Sequence, residues 1–317
     1  MKLSPLCCRV IPQKRPSNLP KSTNGNYEME HSKLSIIIPT YNAQDLLRET
    51  LDCLVDQTVS TDLYEVIIAD DGSSDNTKEV VQDFSSLLDI HYYYQEDDGF
   101  RLAAARNLGL EHAKYPLVLF FDCGMIATED LVEKHLMAHR DQPDSVLIGL
   151  SYGVEEYSTE NAKELTQLIN TLDRTELFSE LSQRKNLYDC RYETCQEIDF
   201  DLSKTRAPWV MCWGGHVSCS TQTLKQIGGC DEAFRSWGGE DVDMAIRLFE
   251  HGCQFTVLKS LHAIHKPHYR CGESNKASSM ENIKYIVNKY KQPDVSLLSE
   301  HGWEAIFKMT LREAEAV

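Results

Sequence analysis

The segment Trp237-Gly238-Gly239-Glu240-Asp241-Val242-Asp243 sets an indole and two glycines beside three carboxylates, directly ahead of an apolar-periodic stretch from Met244 to Phe249. It reads as a turn feeding a helix. Gly238 and Gly239 admit backbone angles closed to other residues and let a ligand approach the main chain. Glu240, Asp241 and Asp243 then fall at a helix N-terminus, where the helix dipole favours negative charge. Acids there commonly serve as caps. The indole shifts the balance: the flat face of Trp237 suits a sugar, and a neighbouring carboxylate is placed to accept a proton.

Further acids close apolar runs. Leu34 to Pro39 and Tyr64 to Ala69 are β-branched runs ending in the polar loops Pro39-Thr40-Tyr41 and Asp70-Asp71-Gly72-Ser73. Ile90 to Tyr94 reads as a third strand, and Leu117 to Phe121 as a buried strand with Asp122 at its tip. Helical spacing lies between them, over Asp45–Asp56, Lys78–Leu88 and Leu102–Ala113, the last containing Arg106 and Asn107. Alternating strands and helices imply a mostly parallel, Rossmann-like α/β sheet flanked by helices, with ligands beyond the carboxyl ends of the strands. Thr40, Tyr41, Asp70, Asp71 and Asp122 are therefore expected at one end of one sheet.

The 317-residue chain is 42% hydrophobic, enough for one large core with an appended subdomain. A net charge of −17 argues against a nucleic-acid groove and against general attraction to anionic lipid, while leaving room for a local basic patch and peripheral membrane association. No run reaches the roughly 20 apolar residues of a membrane span, and no signal-peptide h-region opens the chain. A cytoplasmic protein is expected. The eleven cysteines show no CxxC or Cys/His metal spacing and read as buried small hydrophobes, with Cys7-Cys8 and Cys190/Cys195 in more polar surroundings.

Five motifs in order resemble the family-two glycosyltransferases with the GT-A fold: Pro39-Thr40-Tyr41-Asn42, Val66 to Ser73, Arg106-Asn107-Leu108-Gly109, Asp122-Cys123-Gly124 and Trp237 to Asp241. The late motif is most similar to the chondroitin polymerase and galactosyltransferase group. The resemblance implies an inverting hexosyl- or N-acetylhexosaminyltransferase that takes a UDP-sugar donor and a carbohydrate or other hydroxyl-bearing acceptor. It places the nucleotide on Pro39, Thr40, Tyr41, Asp70 or Asp71, Arg106 and Asp122, with Tyr41 facing uracil and Arg106 neutralising the diphosphate. It makes Asp241 the general base, with Glu240 orienting the acceptor, and puts Trp237, Gly215 and His216 against the sugars. His216 stands where the family has Asn.

The resemblance also implies Mn²⁺ or Mg²⁺ held by Asp122 and His265. The second acid of the family's Asp-x-Asp motif is Gly124 here, so the cation is expected to be weakly held. A Gly124→Asp change is then expected to strengthen the site. Two alternatives stand beside it: cationic neutralisation by Arg101, Arg106, Lys266, His268 or Arg270, or an inert nucleotide-sugar-binding homologue. A nucleotidyltransferase is disfavoured, since no Gly-rich loop with a lysine precedes the first helix. The expected organisation is a disordered tail over residues 1–31, a transferase domain over 32–275 with a helical acceptor-side insertion at 151–205, and a C-terminal helical extension over 276–317.

Overall fold

Continuous aliphatic runs bury both faces of a strand, and three of the four expected runs do so over their whole length. They are β1 (Leu34–Thr40), β2 (Tyr64–Asp70) and β4 (Leu117–Phe121), while β3 (Ile90–Tyr94) is half-buried. The computed structural model describes residues 33–154, 159–268 and 272–312, without the side chains of 260–262, 272 and 273. The N-terminal tail, Cys7-Cys8 and Arg270 lie outside those residues. Helices α1 (Gln44–Val55), α2 (Thr77–Phe84) and α3 (Leu102–His112) connect the four strands. Neighbours in the order β3-β2-β1-β4 pair in parallel. Successive side chains of β1 point to opposite faces. Ile36 and Ile38 therefore join Leu47 and Leu51 of α1 in one core cluster, and Ile37 joins Ala103 and Leu110 of α3 in the other.

Beyond β4 the sheet is mixed. The remaining strands are β5 (Met125–Ala127), β6 (Ser145–Tyr152), β7 (His216–Ser220) and β8 (Gln254–His265), in the full order β3-β2-β1-β4-β7-β6-β8-β5. β7 runs antiparallel to both β4 and β6, β6 is parallel to β8, and β5 is antiparallel to β8. Parallel order is thus confined to the first half and one later pair. Helix α4 (Leu131–Asp141) precedes β6, and α5 (Thr159–Thr171), α6 (Arg174–Leu181) and α7 (Tyr192–Glu197) follow it. Leu165 of α5 is buried, and Leu168, Ile169 and Leu172 pack against the same cluster.

Helix α8 (Thr221–Gln226) follows β7, and α9 (Glu240–Glu250) precedes β8. The C-terminal segment forms α10 (Gly272–Lys289), α11 (Pro293–Ser296) and α12 (Trp303–Met309). Its Ile286, Tyr290, Val295, Ile306 and Phe307 share a core cluster with Phe120 and Met244. Among the described residues no helix is long and apolar enough to cross a membrane. Cys195 is a free, buried thiol, and burial pushes it up to about 12.

The packing of α3 on β1 depends on Gly109, where an added Cβ would lie 2.4 Å from Ile37 Cγ2. Overpacking of a well-filled core costs about 1–3 kcal/mol. Gly109→Ala should lower the unfolding free energy by that amount in urea titration. Wild-type stability would mean that the helix can lift from the sheet without loss.

Candidate active site

The tips of β1 and β2 are stitched together by backbone and side-chain hydrogen bonds. Asp71 N–H donates to Thr40 O at 2.9 Å, Asn42 N–H donates to Ser73 Oγ at 2.8 Å, and Ser74 N–H donates to Asn42 Oδ1 at 2.8 Å. The two acids at this corner have different work. Asp70 is fully buried; its Oδ1 accepts the N–H groups of Gly72 and Ser73, and its Oδ2 accepts the Tyr92 hydroxyl at 2.7 Å. Asp70 therefore fixes the turn. Asp71 accepts Gln95 Nε2 at 2.5 Å and the Arg101 N–H at 2.8 Å, with the Arg101 guanidinium 3.3 Å away. Tyr41 is half exposed and donates its hydroxyl to Asp97 Oδ2 at 3.0 Å, and this hydrogen bond to a carboxylate raises its pKa.

Arg106 is 1% exposed and does not reach outward. Its Nη1 donates to Glu240 Oε1 at 2.9 Å and its Nη2 to Asp122 Oδ1 at 3.1 Å, which joins the tip of β4 to the start of α9. The expected free charge for a diphosphate is thus engaged internally. Gly214 and Gly215 cover this pair, since a Cβ at Gly214 would lie 2.8 Å from the guanidinium and one at Gly215 2.9 Å from Asp122 Oδ2. Burial opposes the charge of Arg106, but Asp122 and Glu240 raise its pKa regardless. For Glu240 burial is the largest influence, followed by neighbouring Asp241. Together they outweigh Arg106 and push the carboxyl up to about 7, while Oε2 has no hydrogen-bond partner.

The three acids of α9 divide their roles: the N-cap is Gly239, and of the acids Asp241 accepts a first-turn N–H, that of Val242, on Oδ1 at 2.8 Å. Glu240 faces Arg106, as described. Asp243 is buried and binds Arg247 within α9 and Lys289 and Tyr290 from the C-terminal segment. Asp241 is half-buried, its Oδ2 accepting the Gly214 N–H at 3.0 Å. A cleft of about 340 Å³ brings Pro39, Thr40, Tyr41, Asp122, Trp237 and His265 together, with His268 and Asn275 at its wall. A hollow of about 490 Å³ along Ala162 to Thr171 is lined by one helix alone and assembles no such set of acids and histidines.

The structure does not bring His216 into this cleft. Gly215 faces Asp122, so by strand alternation His216 points the other way. There its Nε2 lies 3.0 Å from His135 Nε2 and its Nδ1 3.1 Å from Ser151 Oγ, in space left open by Gly149. His135 Nδ1 and His139 Nε2 both meet Ser218 Oγ, at 2.9 and 2.8 Å. Trp209 is buried in the core, and Trp213 packs under the Arg191 guanidinium at 4.4 Å.

Asp122 and His265 offer an oxygen and a nitrogen donor in one cleft, a set that fits a divalent cation completed by phosphate oxygens and water. They do not form a closed cluster of three protein ligands. Among the described residues that arrangement occurs only at Glu65, Asp89 and His91. That group lies at the other end of the sheet, about 17 Å of strand from Asp70, and Lys114 Nζ already sits 3.2 Å from Glu65 Oε2 and 2.7 Å from His91 Nε2. Gly124 is not simply a missing acid: its φ is +92°, and a Cβ there would face the Leu46 side chain at 3.5 Å. The expected gain from Gly124→Asp is therefore withdrawn. Of the alternative cations, Arg101 is on Asp71 and Lys266 binds Glu49 at 2.6 Å.

Comparison with known proteins accords with this geometry. The profile described as glycosyl transferase family 2 matches residues 35–198, and that described as the N-terminal domain of galactosyltransferase matches residues 197–270. Validoxylamine A glucosyltransferase of Streptomyces hygroscopicus subsp. limoneus is 36% identical, over 93% of this chain and 64% of that protein. Chondroitin synthase of Escherichia coli is 35% identical, over 82% of this chain and 38% of that protein. The chain thus spans less than two thirds of either relative. Two solved structures share the GT-A fold at a TM-score of 0.56 each. S. aureus TarS 1-349 in complex with UDP-GlcNAc is 17% identical, over 84% of this chain and 70% of that one. The mannosyltransferase PcManGT from Pyrobaculum calidifontis, in complex with GDP-Man and Mn²⁺, is 16% identical, over 90% and 72%.

Glu240 gives the site a pH signature. Its folded pKa, near 7, lies above the unfolded carboxylate value, so the folded state holds a proton that the unfolded state has released. That contribution is complete below the unfolded pKa and is lost as pH rises through 7. Wild-type stability relative to Glu240→Gln should therefore fall between about pH 5 and pH 8 in urea titrations. The opposite trend would mean that Arg106 overrides burial.

Proposed function

The chain belongs to glycosyl transferase family 2, and from that membership we propose that it moves a sugar from a UDP-sugar to a hydroxyl of a carbohydrate or other acceptor, with inversion at the anomeric carbon. The observation that carries this reading is the Arg106 fork, which sets a donor-side acid, Asp122, beside the acid pair that follows Trp237. Tyr41 stacks on the uracil and Asp71 accepts its ring N–H, while Asp70 maintains the turn beneath them. Asp122 meets the ribose or the cation. The UDP-GlcNAc bound to TarS supports the donor class. The sugar is a hexose or an N-acetylhexosamine, and the acceptor sugar lies against Trp237 and the Gly214-Gly215 backbone.

The step is a single displacement. The acceptor oxygen forms a bond to the anomeric carbon as the bond from that carbon to the diphosphate oxygen breaks. UDP leaves with the electron pair, and the acceptor proton passes to the Asp241 carboxylate. Glu240, held by Arg106, orients the acceptor. A divalent cation held by Asp122 and His265 would neutralise charge on the leaving diphosphate. Arg106 acts by fixing the two acids.

The test is UDP release from UDP-hexoses and UDP-N-acetylhexosamines against a panel of p-nitrophenyl glycosides. Asp241→Asn should keep UDP affinity in calorimetry and lose about 10²–10⁴-fold in turnover. Unchanged turnover would remove Asp241 from the mechanism, and UDP binding without transfer to any acceptor would favour an inert homologue. In the same assay a chelator should abolish activity, and His265→Ala should raise the Mn²⁺ concentration needed for half-maximal rate. Full activity in chelator would assign charge neutralisation to the protein instead.

A further inference from the structure

The turn that presents Trp237 is held from behind by helix α10. Gly238 and Gly239 have φ of +92° and +100°, and they press close to this helix. An added Cβ would meet Ser279 at 3.3 Å from Gly238, and Ile286 at 3.2 Å from Gly239. The carbonyls of the turn point at the helix. Asn282 Nδ2 donates to Gly238 O at 2.7 Å and to Ser236 O at 3.2 Å, and it approaches Trp237 O at 3.4 Å. The Ser278 hydroxyl has two acceptors in reach for its one hydrogen, Trp237 O at 3.1 Å and Asn275 O of its own helix at 3.0 Å. Ser278, Asn282 and Ile286 follow at intervals of four and so share one face of the helix. Neither Ser278 nor Asn282 lines the cleft; Asn282 meets it through the main chain of the turn, and Ser278 through that turn and through Asn275 of its own helix, which does line it.

We propose that Asn282 and Ser278 are positioning residues for the acceptor: they fix the Trp237 turn, and with it the separation between the indole face and Asp241. This rests on the transferase reading of the site. A left-handed pair of glycines has wide backbone freedom when unrestrained, and an amide that reaches consecutive carbonyls removes it. Asn suits the task because its Nδ2 donates two hydrogens, and Asp would set a negative oxygen against the same carbonyls. Donor binding lies with Tyr41, Asp71 and Asp122, on other elements, and does not pass through these contacts.

The experiment compares wild type with Asn282→Asp and the milder Ser278→Ala, using the UDP-sugar and p-nitrophenyl glycoside that turn over in the transfer screen. Expected are faster amide hydrogen exchange over residues 236–239 and an acceptor kcat/KM lowered about tenfold to a hundredfold, the range that a displacement near 1 Å produces. The affinity for UDP should stay within about twofold and the protection of β1 and β4 amides should be unchanged, which a general loss of structure would not allow. Unaltered exchange over 236–239, or an unaltered acceptor kcat/KM in both variants, overturns the proposal, as does a parallel fall in UDP affinity. A wild-type chain that transfers to no acceptor refutes the transferase reading separately; the exchange measurement then decides whether these residues hold the turn.

Discussion

A single guanidinium registers the two halves of the molecule. Arg106 is the point where the parallel half of the sheet, through Asp122 at the tip of β4, meets the helix that begins at Glu240. Donors in the fixed plane of one guanidinium set direction as well as distance, which an ammonium on a flexible stem does not. Losing this cation would leave Glu240 buried without its partner, whereas Asp122, 32% exposed at the cleft, keeps part of its hydration. Its neighbours are chosen for it: Phe120 lies beneath, its ring centroid 5.8 Å away, and Gly214 has no side chain that could displace it. Burial, with the neighbouring Asp241 second, still drives the Glu240 carboxyl upward against this cation.

Much of the fold could be read from the residues because β1, β2 and β4 are largely aliphatic runs separated by helical spacing. Such runs can only be buried, and their loops must then gather at one sheet end. The later strands gave weaker signals. β5 has three residues, β7 is the polar His216-Val217-Ser218-Cys219-Ser220, and their partners are remote in sequence. Local pattern carries no information about which remote strand inserts between β4 and β6, or in which direction.

The acids of the site were visible, but their division of labour was not. Asp70 and Asp71 are adjacent and chemically alike; only the positions of Tyr92, Gln95 and Arg101 make one a turn anchor and tie the other to the segment after β3. The fate of Arg106 depended on Glu240, 134 residues away. His216 was misplaced for a simpler reason: alternation on β7 sends neighbours to opposite faces, and the phase of that alternation is set by Gly215 against Asp122. The C-terminal helix gave an apolar stripe, yet its polar residues Ser278 and Asn282 bear on the Trp237 turn in a way that no local spacing encodes.

The side chains around His216 have one further consequence. Ser151, His216, His135, Ser218 and His139 form an unbroken line of hydrogen bonds across β6, β7 and α4. If both rings are neutral, the Nε2 atoms of His216 and His135, facing each other at 3.0 Å, share one hydrogen between them. If His216 supplies it, His135 carries its own hydrogen on Nδ1 and donates to Ser218, whose hydroxyl turns to His139. If His135 supplies it, every bond in the line reverses and His216 donates to Ser151. The tautomers of the three rings are therefore not independent: the line has a polarity, and choosing the tautomer at one end of the buried row chooses it at the other.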